Sequence, residues 1–204
     1  MVSLLLLVGC RSAYYATWEQ FGVYKRDLLK KKVVAARDDQ KAASEQFKDA
    51  LTRLKDLYGF QGGDLEKAYS GLKRDYDRSV ERADAVHKRI VDVETVAKDL
   101  FAEWQKELRD ISSETLRRSS EEKLRETRRR YDELYAALKQ AEKSMDPVLT
   151  RFRDQVLYLK HNLNAAAIAS LKGETTSIQE EVSRLIADMN AAISKADTFI
   201  NTLP

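Results

Sequence analysis

Cys10 is the only cysteine in the chain, and it ends the apolar run Leu4-Leu5-Leu6-Leu7-Val8-Gly9. Leu7-Val8-Gly9-Cys10 has the form of a lipobox, the segment a bacterial signal peptidase cuts before a cysteine that receives lipid. Gly9 is small enough for the protease, and the Cys10 thiol takes the diacylglycerol. One thiol cannot form an intramolecular disulfide, and a lone exposed thiol is unusual in an exported protein unless it is modified. Each buried acyl methylene contributes about 0.8 kcal/mol, so one acyl chain holds marginally and several hold stably. No Lys or Arg precedes the apolar run, and the run is shorter than usual. A signal segment incomplete at its start would leave this pattern. The expected division is a signal segment at 1–9 and a single domain at 10–204. Arg11 follows the cysteine where an aspartate would favour inner-membrane retention, which leans toward the outer membrane.

Two basic runs form the second set of residues with a possible chemistry. Lys25, Arg26, Lys30, Lys31 and Lys32 lie 15–22 residues after Cys10, about 22–33 Å along a straight helix. Arg117, Arg118, Arg125, Arg128, Arg129 and Arg130 form the other. In an up-down bundle the two stand at similar height and make one collar near the membrane. Such a collar meets anionic headgroups or an anionic cell wall, at about 1 kcal/mol per residue close to a charged surface. The competing reading is an ordinary solvated face balanced by Glu103, Glu107, Glu121, Glu122 and Glu126. Nucleic acid is not an expected partner, because net charge is only +3 and no nucleic-acid-reading motif is present.

Other polar and aromatic residues are less specific. His161 and Asn164 are three apart, so on one helix they share a face and make a partner contact or a register-fixing polar layer. A surface or core-satisfied histidine is the commoner outcome. His87 lies beside an apolar seam and reads as a boundary residue. Tyr14, Tyr15, Trp18, Phe21 and Tyr24 crowd the end nearest Cys10, with spacing that suits a membrane interface and a bundle core equally. With one Cys and two His, no metal-spaced cluster is visible. There is no phosphate loop, nucleophile elbow or catalytic triad pattern. No enzyme activity, cofactor or metal is therefore expected. No stretch approaches the ~20 apolar residues of a transmembrane helix.

The elements that must carry these residues are helices. Charged residues reach 34%, with only 7 Gly and 2 Pro in 204 residues, which suits long helices with a narrow seam. A first helix is expected from about Arg11 to Tyr58, with a seam through Leu28, Ala35, Ala42, Phe47, Ala50, Leu54 and Leu57. The segment 59–64, with three glycines, breaks it, and Asp64 caps the next helix. From Leu65 to Ile111, apolar or small residues recur in steps of three and four, as in a coiled coil. Ser112 or Ser113 starts a third helix, with a seam from Leu116 to Leu163, that passes through Pro147 with a kink. Thr176-Ser177-Ile178-Gln179 has capping-box form ahead of a last seam, Ile178 to Leu203. Whether the chain turns at Gly173 or runs straight is left open. The fold class is all-α: an elongated antiparallel bundle of three to four long helices with coiled-coil-like packing.

Several segments extend the reading: Tyr24–Asp27, Phe60–Glu66, Asp99–Trp104, Leu124–Tyr131 and Phe152–Ala165. Together they resemble a family of bacterial proteins defined only as a domain of unknown function, many of them predicted lipoproteins. The resemblance implies an all-helical, lipid-anchored chain and implies no activity. The expected function is that of a membrane-anchored periplasmic lipoprotein, a structural or assembly partner in the bacterial envelope. The alternative is a module carrying a hydrophobic or glycan ligand between its helices. Expected partners are the membrane, through lipid on Cys10, and another envelope protein or an anionic cell-wall surface. Self-association is left open.

Overall fold

The computed structural model describes residues 14–18, 20, 22–59 and 64–203. Among these there is no strand. Four long helices carry the fold: α1 (Lys25–Tyr58), α2 (Leu65–Glu107), α3 (Glu114–His161) and α5 (Thr175–Thr202). A short helix, α4 (Ala165–Leu171), precedes α5. Residues 14–18 and 20 are also helical. α3 has 48 residues and is about 70 Å long at the α-helical rise.

Cross-helix pairs fix the directions. Lys32 reaches Asp92 while Arg53 reaches Asp75, so α1 and α2 are antiparallel. Trp104 pairs with Ser120 and His87 with Glu142, so α2 and α3 are antiparallel. Lys195 meets Glu133 and Arg151 meets Glu181, which sets α5 against α3. α1 packs on α2 and α5, and α3 packs on the same two helices, closing a four-helix ring. Across its centre the Phe47 ring of α1 stacks on Phe152 of α3, 6.4 Å between centroids.

Steps of three and four drive this packing. On α1 the buried positions are Leu29, Val33, Ala36, Gln40, Ala43, Phe47, Ala50, Leu54 and Leu57. On α3 they run from Leu124 through Thr127, Tyr131, Leu134, Leu138, Ala141, Met145, Val148 and Phe152. A mean spacing of 3.5 keeps one seam facing the partners along the whole length. Full burial of each large apolar side chain contributes about 1.5–3 kcal/mol. Three buried positions are polar layers: Asp75 accepts from Arg53, Ser79 donates to the Asp75 carbonyl, and Gln155 accepts from Tyr58. Gln40 and the Thr127 hydroxyl are buried without a hydrogen-bond partner among the described residues.

Several expectations hold and several are corrected. Asp64 and Ser113 cap α2 and α3, accepting from Lys67 and Leu116. α3 runs continuously through Pro147, which is exposed while Met145 and Val148 stay buried. An exposed proline leaves the carbonyl one turn earlier open to water. The first long helix does not run unbroken from Arg11, because Gly22 adopts φ +73° and α1 starts afresh at Lys25. A positive φ is cheap only for glycine, so the chain bends there. Its seam passes through Ala36 and Ala43 rather than Ala35 and Ala42. Leu116 is 64% exposed and does not belong to the α3 seam. α3 ends at His161, and the Asn164 side chain accepts from the Ala167 amide as the cap of α4. His161 and Asn164 therefore do not share a helix face. The chain turns over 162–174, and α5 begins at Thr175 without a side-chain cap, so no capping box forms.

Candidate functional site

One end of the bundle gathers the start of α1, the end of α2, the start of α3 and the end of α5. It is called the proximal end because the chain N-terminal to α1 packs there. The Tyr24 amide donates to Asp27, which steadies the first turn of α1. Tyr15 is buried and donates to Asp99 of α2 at 2.6 Å. Lys25 Nζ lies 4.5 Å from the centre of the Tyr15 ring and 2.5 Å from Glu103. Residues 14–18 are thus clamped onto α2 by one hydroxyl and one ammonium group. Tyr14 and Tyr24 are exposed and Trp18 is half-buried, so the aromatic group divides between core and surface. Phe21 lies outside the described residues, as does Cys10.

A second aromatic set ties α2, α3 and α5. Phe101 meets Tyr131 edge-on at 5.4 Å, and Tyr131 meets Phe199 at 6.3 Å. Burial pushes the Tyr131 phenol above its ordinary pKa. Trp104 is half-buried and donates to Ser120 at 2.8 Å.

Both expected basic runs lie at this end. Arg128 stands 5.1 Å over the Phe101 ring, two positions from the Glu103 that binds Lys25, so the runs are level. Their charges are spent unequally. Lys25 and Lys32 pair with Glu103 and Asp92 of α2. Arg118, Arg129 and Arg130 pair one turn away with Glu114, Glu133 and Glu126. Arg26 is 3.7 Å from Asp27. Lys31 lies over the Trp18 ring at 5.4 Å. Lys30, Arg117 and Arg125 make no ion pair among the described residues. Arg109, which the sequence reading did not single out, joins the last two. It sits in the short 3-10 turn Leu108–Asp110 that ends α2, and its side chain lines the same cleft as theirs. Nothing in the linear pattern marks it, since its role depends on how the corner folds.

Two concavities flank this end. One of about 460 Å³ has Leu100, Trp104 and Leu203 on its wall and Arg26 and Lys123 at its rim. The other, about 700 Å³, holds Arg109, Arg117 and Arg125. A third, of about 640 Å³, opens midway between α2 and α3 around His87. There His87 Nδ1 and Glu142 Oε1 are 2.5 Å apart, and Lys139 also bonds Glu142. Burial raises the Glu142 carboxyl, but the bonds from Lys139 and His87 outweigh it and hold the group below the usual range. Among the described residues no group of three or more His, Cys, Asp or Glu is placed to hold a metal ion. No helix among them is long and apolar enough to cross a membrane.

A packed all-α bundle with a basic, aromatic end, and without a metal-ligand cluster among the described residues, defines a helical-bundle protein rather than a known site class. The family model described as "Protein of unknown function (DUF2959)" matches residues 14–203, and the chain belongs to that family. Comparison with curated proteins finds no match.

Proposed function

We propose that the protein is a lipid-tethered structural or interaction protein of the bacterial envelope, without catalytic activity of its own. Lipid on Cys10 holds it on the periplasmic face of a membrane, with the outer membrane favoured, and the proximal end turned toward that membrane. The observation that carries this reading is the meeting of both basic runs and the aromatic segment at the end nearest Cys10. Its partner is an anionic surface or another envelope protein. Fully buried Phe47, Ile90, Leu138 and Phe152 along the axis suit a rod that spaces or links better than one that carries a ligand inside.

Changing Cys10→Ser tests the anchor. The expected result is loss of palmitate labelling and release into the soluble fraction. Retention of the variant in the membrane fraction would refute anchoring through this residue.

A second reading has one observation in its favour. The concavity beside Trp104 joins an apolar wall to Arg26, Lys123 and Glu107, with Lys25 paired to Glu103, which leaves one positive charge in excess for an acidic group on an acyl chain. Extraction of purified protein followed by lipid mass spectrometry distinguishes a carried ligand from the covalent lipid on Cys10.

A further inference from the structure

Arg109 approaches from the end of α2, and Arg117 and Arg125 lie eight residues apart on α3. All three line the cleft of about 700 Å³ whose floor is Leu108 and Leu124. None of them makes an ion pair among the described residues, although Glu121 lies four residues from both Arg117 and Arg125. On the neighbouring surface the same spacing is used: Arg118, Arg129 and Arg130 each bond a glutamate four residues away. Glu121 is the one carboxylate among the described residues that line the cleft. The cleft is therefore left with two positive charges in excess.

Guanidinium groups favour planar, bidentate recognition of oxyanions, and phosphate offers several charged oxygens at once. A phosphomonoester carries nearly two negative charges at neutral pH, which matches the excess. A single carboxylate would leave half of it. We propose that the Arg109–Arg117–Arg125 cleft is a phosphate-binding site. A lipid headgroup and a soluble phosphorylated ligand present the same chemistry. The leucine floor gives an attached apolar portion a surface to lie on. This inference deepens the reading above and rests on it only for which end faces a membrane. The site itself does not require the lipid on Cys10.

The test uses the full chain carrying Cys10→Ser, so that failure of anchoring and failure of the cleft are separate results. Two probes are titrated: inorganic phosphate by calorimetry, and vesicles of phosphatidic acid, a phosphomonoester lipid, against phosphatidylcholine vesicles by flotation. A triple variant, Arg109→Gln with Arg117→Gln and Arg125→Gln, should lose about tenfold or more in affinity for whichever probe binds. Arg82, Lys88 and Lys160 are exposed elsewhere on the bundle, and changing all three to Gln should cost less than about twofold by the same scale. Glu121→Gln should tighten binding. Circular dichroism confirms that each variant is still helical. Binding of inorganic phosphate assigns a soluble ligand, and binding confined to phosphatidic acid vesicles assigns a lipid headgroup. Binding of neither probe, equal binding to both vesicle types, or equal loss in the two triple variants would overturn the proposal.

Discussion

Two of the clefts between α2 and α3 treat charge differently. The central one, around His87, mixes both signs, three carboxylates with two lysines. Glu142 is bonded by both His87 and Lys139, and Asp84 and Asp146 stand against Lys143. The proximal one sets Arg109, Arg117 and Arg125 against Glu121 alone. Cations without an ion pair among the described residues occur elsewhere on the rod too, as at Arg74, Arg82 and Lys160. The proximal cleft differs in bringing arginines from the end of α2 and from α3 to one hollow. A cleft of mixed sign held by its own bonds is explained by stability, whereas the positive excess at the proximal one is what the phosphate proposal rests on.

The comparison presumes one rigid frame behind both clefts, and the largest expected effect tests that frame. Phe152→Ala removes a fully buried ring stacked on Phe47 and should cost about 3–5 kcal/mol in urea unfolding. Trp104 lies at the proximal end and is only half-buried, with its indole N–H bonded to Ser120. Trp104→Ala should therefore cost less, about 1–3 kcal/mol. A cost equal to that of Phe152→Ala would mean that the proximal end is as tightly packed as the centre. Gln40 goes the other way. Both of its side-chain polar atoms are buried without partners among the described residues, so Gln40→Met should stabilise by about 1 kcal/mol. A loss instead would show that Gln40 fixes the register of α1.

Much of this frame is legible in the sequence. The seam expected from Leu65 to Ile111 contains the buried Leu72, Val86, Ile90, Val93, Ala97, Leu100 and Leu108. What it omits are Gly71, Asp75, Ser79, Val96 and Phe101; the two polar ones escape because a search for apolar periodicity passes over polar side chains that are satisfied inside. The seam of α1 slips by one position for the same reason. Gln40 interrupts the pattern, and alanines at 35, 36, 42 and 43 fit either phase. The break at 162–164 was hidden by reading Asn164 as a mid-helix polar residue, although its side chain is a helix cap. Both basic runs were visible as residues. The cleft was not, because Arg109 meets Arg117 only once the corner between α2 and α3 has folded.

The smallest expected effect sharpens the central cleft. Glu142 has a folded-state pKa below its ordinary value, so its contribution is fully present above the ordinary carboxylate range. That contribution is lost as pH falls through the folded-state value. Stability measured from neutral to acid pH should fall more steeply in the native chain than in Glu142→Gln. The two should differ by on the order of 1 kcal/mol at neutral pH and converge in acid. Parallel curves would show that the His87–Glu142–Lys139 contact contributes nothing.

Both tryptophans of the chain, Trp18 and Trp104, belong to the proximal end, so tryptophan fluorescence, excited selectively over tyrosine, reports on that end alone. The most direct measurement of whether this end meets a phosphate-bearing membrane is quenching by brominated lipid in anionic vesicles, with the full chain carrying Cys10→Ser. The account predicts quenching that is weakened by salt and absent from Arg109→Gln with Arg117→Gln and Arg125→Gln. Unquenched emission from protein that floats with anionic vesicles would contradict it, because the bundle would then meet the membrane by some other face.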